Sequence, residues 1–82
     1  MKTYTLKVML TPDEDGWFVR CPELESYGAA TWGRNKEEAK RFIEEVLEMV
    51  VEEMVGEGRL VPEADEGASL APSEYLVRVS TK

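Results

Sequence analysis

At 82 residues, with 17 acidic against 10 basic side chains and a formal net charge of −7, the chain has room for one domain and one small core. A surface of that sign repels phosphates, so strong non-specific nucleic-acid binding is excluded; it would attract a basic protein, with simple solubility as the plain alternative. Histidine is absent and cysteine occurs once, at Cys21, which removes the commonest general base and zinc ligand and rules out an internal disulfide.

Other compositional features set broad expectations. A domain this short is marginally supported by its own burial, so a homo-oligomer is expected. No run approaches the ~20 apolar residues of a membrane span. The start, Met1-Lys2-Thr3-Tyr4-Thr5, lacks the unbroken apolar stretch of a secretory signal. With the lone thiol, this makes the expected location cytoplasmic. The absence of glutamine beside many Glu, Lys and Arg resembles the composition of heat-adapted proteins.

In chain order, residues 3–11 alternate, with Tyr4, Leu6, Val8 and Leu10 on one face and Thr3, Thr5, Lys7, Met9 and Thr11 on the other, as in a half-buried strand. Pro12-Asp13-Glu14-Asp15-Gly16 has turn chemistry, with Gly16 supplying a positive φ. A returning strand is expected over residues 17–21, stopped by Pro22, which has no ladder donor. A loop over 23–28 leads to a short third strand over 29–32.

The helix start is marked most clearly. Asn35 is a good N-cap, and Glu38 stands where a capping-box carboxylate reaches back to the N-cap amide. Ala39, Phe42, Ile43, Val46, Leu47, Val50 and Met54 then form one apolar stripe. Met49, Val51 and Val55 widen that stripe beyond what one sheet face needs, and Gly56 and Gly58 end the helix. Residues 59–73 read as loop and 75–79 as a last alternating strand. The expected fold class is α+β, in the order β-β-β-α-β: a single domain over residues 1–82 with a mainly antiparallel sheet and one long helix on one face.

Chemistry-bearing patterns are few. Cys21 has no histidine to generate thiolate and sits among apolar neighbours, so a core position is expected. Gly56-Glu57-Gly58 ends a helix and lacks the lysine of a phosphate loop. Asp13, Glu14 and Asp15 could hold a hard cation but lack the ligand spacing of a calcium loop. Glu63, Asp65 and Glu66 read likewise as solvated loop acids. A carboxylate-metal nuclease built from these acids stays as the third alternative. The expectation is no enzyme, no metal and no cofactor.

Two features point to binding. Glu37–Arg41, Lys40–Glu44 and Arg41–Glu45 are favourable i,i+4 pairs early in the helix. Beyond them Glu44, Glu48 and Glu52 form an unrelieved acidic column, and Glu53 repeats it with Glu57. Repulsion and the opposed helix dipole cost about 1–2 kcal/mol there. A basic partner would relieve that cost, as would Lys7, Arg20 or Arg78 from across the fold. The plain alternative is a screened, solvated face. The second feature is apolar excess. If Tyr4, Leu6, Val8 and Leu10 face the helix, Met9 lies on the far side of the sheet, joined either by Phe18 or by Trp17, Val19 and Cys21, with Trp32 and Leu76 as further candidates. Patches of that size mark interfaces. The expected partner or oligomer contacts are therefore Met9, Phe18, Arg20, Trp32, Glu44, Glu48, Glu52 and Leu76.

The same residues resemble a family. Asp13-Glu14-Asp15-Gly16-Trp17-Phe18-Val19, with Cys21-Pro22-Glu23-Leu24, is similar to the acidic-Gly turn, aromatic strand and Pro-acid-Leu bend of HicB-like antitoxins. Thr31-Trp32-Gly33-Arg34-Asn35-Lys36-Glu37-Glu38-Ala39 resembles that family's Thr-x-Gly, capping residue and Glu-Glu-Ala helix start, and Glu57-Gly58-Arg59-Leu60-Val61-Pro62 its Gly-x-x-Ile/Val-Pro segment. The resemblance covers nearly the whole chain. It implies a partial double-stranded-RNA-binding-like fold without RNA binding, and neutralisation of a small, basic, RNA-cleaving toxin of the HicA type. Two departures stand out. Glu25-Ser26-Tyr27-Gly28 replaces the family's Pro-Gly-Cys, and no DNA-binding domain follows before Lys82. DNA binding by this chain alone is accordingly not expected. The leading functional reading is an antitoxin-like binding module. The alternative is a solitary structural homo-oligomer without a toxin partner.

Overall fold

Alternation over residues 2–13 builds a long first strand onto which the rest of the sheet is laid from both sides. The computed structural model describes residues 2–65, 67 and 69–81. They form β1 (Lys2–Asp13), β2 (Gly16–Arg20), β3 (Ala30–Gly33), α1 (Lys36–Gly56) and β4 (Glu74–Thr81). The sheet is antiparallel throughout, in the order β3-β2-β1-β4. The expected α+β class and β-β-β-α-β order are thus those of the molecule. Among the described residues no helix is long and apolar enough to cross a membrane.

Register settles which side chains share a face, because directly opposed residues in an antiparallel pair project to the same side. Leu10 opposes Val19 and Leu6 opposes Val77. Leu6, Val8, Val19, Leu24, Ile43, Leu47 and Val51 form the fully buried centre between the sheet's inner face and α1. The helix stripe is rotated slightly from its sequence reading. Val51 is core, Phe42 and Val46 are half-buried, and Met49 and Val55 stay exposed. The third-strand and first-turn glycines are explained by close approach. At Gly33 a Cβ would lie 2.4 Å from the Ala39 backbone nitrogen, so the first turn of α1 sits directly on β3.

Local chemistry agrees with the helix boundaries, whereas β1 continues through Pro12 and Asp13, expected as turn, β2 ends at Arg20, before Cys21, and β4 is longer than the expected 75–79. Asn35 caps α1 by accepting from the Glu38 N–H at 2.8 Å. Glu38, however, accepts from the Arg34 N–H at 3.0 Å, one residue before the N-cap amide it was expected to reach. The helix closes with the paired bonds of a Schellman end: Arg59 N–H to Met54 carbonyl (2.9 Å) and Gly58 N–H to Val55 carbonyl (3.1 Å). Residues 23–28, expected as loop, include a 3₁₀ stretch, Pro22–Tyr27, with Leu24 buried beneath it. In the β1–β2 turn the positive φ falls on Glu14, at 47°, and not on Gly16 as expected. Gly16 is needed for another reason, since a Cβ there would lie 2.2 Å from the Trp32 indole.

The segment after α1 also has a structural task. β2 reaches only the second half of β1, which leaves the outward amides near Thr5 without a neighbouring strand. Ala64 N–H donates to the Thr5 carbonyl at 2.8 Å, and Thr5 N–H donates to Glu63 Oε1 at 3.2 Å. Glu63 is therefore an edge cap and not merely a solvated loop acid. Asp65 accepts from the Gly67 N–H at 2.9 Å, and Glu66 lies outside the described residues.

Candidate functional site

The register resolves the ambiguity over the sheet's second face. Phe18 opposes both Thr11 and Trp32, and Arg20 opposes Met9. Phe18 therefore joins Met9 on the outer face, while Val19 and Cys21 are buried in the core. Leu76 opposes Lys7 and Glu74 opposes Met9, so all four strands contribute to this face. Met9, Phe18, Trp32 and Leu76 make an apolar band across it, with Trp32 43% exposed. Met9, Phe18 and Leu76 are each half-buried.

Charged groups frame it. Arg20 pairs with Glu25 and sends its second guanidinium nitrogen to Met9 Sδ at 3.6 Å. Lys7 Nζ lies 3.4 Å from Glu74 Oε2. Glu74 also accepts from the Ala71 N–H at 2.7 Å. That bond first, and Lys7 second, hold its carboxyl below the ordinary value. A depressed carboxylate of this kind supports the fold above its unfolded pKa, and the support is lost as pH falls through the lower folded value.

The acidic column lies on the opposite side of the molecule. Glu44, Glu48 and Glu52 are exposed on α1, which packs on the inner face. Lys7 and Arg20, two of the cations that could have relieved the column, are on the outer face and engaged with Glu74 and Glu25. The expected helix pairs Glu37–Arg41, Lys40–Glu44 and Arg41–Glu45 are absent from the ion pairs among the described residues. Lys40 lies over the Tyr75 ring at 3.9 Å and Arg41 against Phe42 at 5.5 Å. The aromatic faces attract these cations, whereas a solvated i,i+4 glutamate offers little net gain. Arg34–Glu38, at 3.8 Å, is the i,i+4 pair that forms. The eight expected contact residues thus divide into two surfaces. Met9, Phe18, Arg20, Trp32 and Leu76 lie on the sheet, and Glu44, Glu48 and Glu52 lie on the helix.

Cys21 is buried, at 1% exposure. Loss of solvation pushes its thiol up, and the nearby Glu23 and Glu25 charges add to the rise, against backbone hydrogen bonds at Leu24 and Glu23 that lower it. The protonated, enclosed thiol is a poor nucleophile. An aromatic disulfide reagent at neutral pH is expected to label it only as fast as the protein opens, with full reaction on adding denaturant. Immediate stoichiometric labelling of the folded protein would contradict the burial. Among the described residues no group of three or more acids or cysteines converges as metal ligands would.

One region of the inner face was not anticipated from sequence. At the end of the sheet beside the start of α1, a cavity of about 210 Å³ opens between Trp17 and Tyr75, over Leu10, with Lys36 at its wall. Its signal in the sequence was faint, because Trp17 and Tyr75 stand far apart in the chain and only the sheet order brings them together.

No protein-family model, curated protein or solved structure matches this chain.

Proposed function

We propose that the chain is an antitoxin-like protein-binding module, acting by covering a small, basic, RNA-cleaving protein of the HicA type and not by catalysis. The observation that carries this reading is the unrelieved acid on α1. Glu44, Glu48 and Glu52 are exposed, with no ion pair among the described residues, while Lys7 and Arg20 are committed elsewhere. A helix that keeps like charges at i,i+4 near its negative end sacrifices local stability, and a cationic partner surface would recover it. The resemblance of the turn, bend and helix-start motifs to HicB-like antitoxins supports the same partner chemistry. The apolar outer face supports a homo-oligomer, which leaves the two acidic helices of a dimer pointing outward. That face also favours the second reading, a structural homo-oligomer without a toxin.

The test is co-expression with the short basic protein encoded nearest to this chain, followed by co-purification and assay of its RNA cleavage. Co-purification with loss of cleavage supports the antitoxin reading. Free, fully active ribonuclease at equal concentrations leaves the structural homo-oligomer. Within the complex, Glu48→Gln with Glu52→Gln is expected to slow association about tenfold at low salt and to flatten its salt dependence. Folding stability should be unchanged or raised by a few tenths of a kcal/mol, ~0.2–0.5 per relieved pair. Identical association rates across the salt series would remove these acids from the interface.

A further inference from the structure

We infer that the cavity between Trp17 and Tyr75 is a binding site for a small aromatic carboxylate. Trp17 on β2 and Tyr75 on β4 flank β1, and both belong to the inner face, where Leu10 forms the floor. α1 begins beside them, so the helix covers the core further along the sheet but leaves this end open, lined by Pro12 and Pro72. The walls are mainly apolar, with Lys36 and Ser73 among them, and both aromatic residues are only half-buried.

Charge selects the occupant. Lys36 Nζ lies over the Trp17 ring at 4.7 Å and Lys40 Nζ over the Tyr75 ring at 3.9 Å. In a chain with 17 acids, neither lysine has a carboxylate partner among the ion pairs of the described residues. Both are held by rings that wall the cavity, and Lys36 itself lines it. A cavity of about 210 Å³ is below the range of a cofactor-sized pocket, ~300–1,000 Å³. It exceeds the ~150 Å³ apolar cavity that accepts benzene. One ring plus a short acidic arm fits that interval. The ring is sandwiched by aromatic and proline surfaces, and the carboxylate meets Lys36 in a charge-assisted hydrogen bond.

The experiment is a heteronuclear NMR titration of the full chain with phenylacetate, phenylacetamide and acetate, which separate ring from charge. Phenylacetate is expected to move the Trp17 indole and the Leu10 and Tyr75 amides saturably at millimolar concentration. Phenylacetamide should bind about tenfold more weakly, the worth of a charge-assisted bond, and acetate should leave these signals in place. Lys36→Gln, exposed on the surface and checked for unchanged free spectra elsewhere, should lower phenylacetate to the level of the amide. Equal response to phenylacetate and phenylacetamide, shifts centred on Trp32 of the outer face, or no saturation would overturn the site.

Discussion

Gly33→Ala is expected to destabilise the domain by about 1–3 kcal/mol, the range of overpacking in a closed core. The added methyl group would lie 2.4 Å from the Ala39 nitrogen, 2.7 Å from its Cα and 3.0 Å from the Glu38 carbonyl carbon. These are backbone atoms of the first turn of α1, so no rotamer change relieves the clash, and the helix start must lift from β3. Lifting it exposes Ala39 and Ile43, both fully buried, and strains the Asn35 and Glu38 bonds that define the helix start. Against a total stability of about 4–12 kcal/mol for a chain of this length, the loss is a large fraction. Urea denaturation reads it as a lower midpoint with a similar slope. Gly56→Ala makes the control. Nothing lies within 4 Å of its added methyl group, and it should raise stability by about 0.4–1 kcal/mol. If the two variants unfold at the same midpoint, α1 is not seated on β3 as described.

The second large effect concerns the outer face. The protein is expected to run as a homo-oligomer in light scattering after gel filtration at moderate salt, and Met9→Lys with Leu76→Lys is expected to make it a monomer. Both side chains are half-buried within the chain, so each has only about 1 kcal/mol of burial left to gain on association. In a two-fold interface each residue counts twice, giving about 4 kcal/mol and a dissociation constant about a thousandfold higher. These positions suit the test because neither belongs to the inner core. Trp32 does not suit it, since it covers Gly16 and its loss would disturb the first hairpin. A wild-type monomer would dispose of the interface, and an oligomer untouched by the double change would move it to another face or edge.

How far each surface could be read in advance follows from the kind of pattern that encodes it. α1 was legible because its signals are local. Asn35 and Glu38 are three residues apart, and Ile43, Leu47, Val50 and Met54 repeat at helical spacing, so a window of a few turns contains the information. The same holds for β1, whose alternation alone separates Tyr4, Leu6, Val8 and Leu10 from Met9. The choice between Phe18 and its neighbours was not local. β2 is short, with apolar residues on both faces, and only its pairing with β1 at Leu10–Val19 decides which side faces the helix. The helix ion pairs failed for a related reason. Sequence spacing brings Lys40 within reach of Glu44, but the fold brings Tyr75 closer.

The sequence by itself determined the α+β class, the order of the elements, the limits of the long helix and the existence of an acidic column and an apolar excess. Each is a property of period, cap or composition within a few residues. The tertiary structure alone decided that the acids and the apolar band occupy opposite sides of the molecule, and that Gly16 and Gly33 are required by Trp32 and Ala39 and not by turn geometry. It alone made Glu63 a cap for the edge at Thr5, and it alone opened a cavity between Trp17 and Tyr75 with Lys36 at its wall. All of these depend on contacts between residues distant in the chain, where strand register and helix placement, not local preference, choose the neighbour.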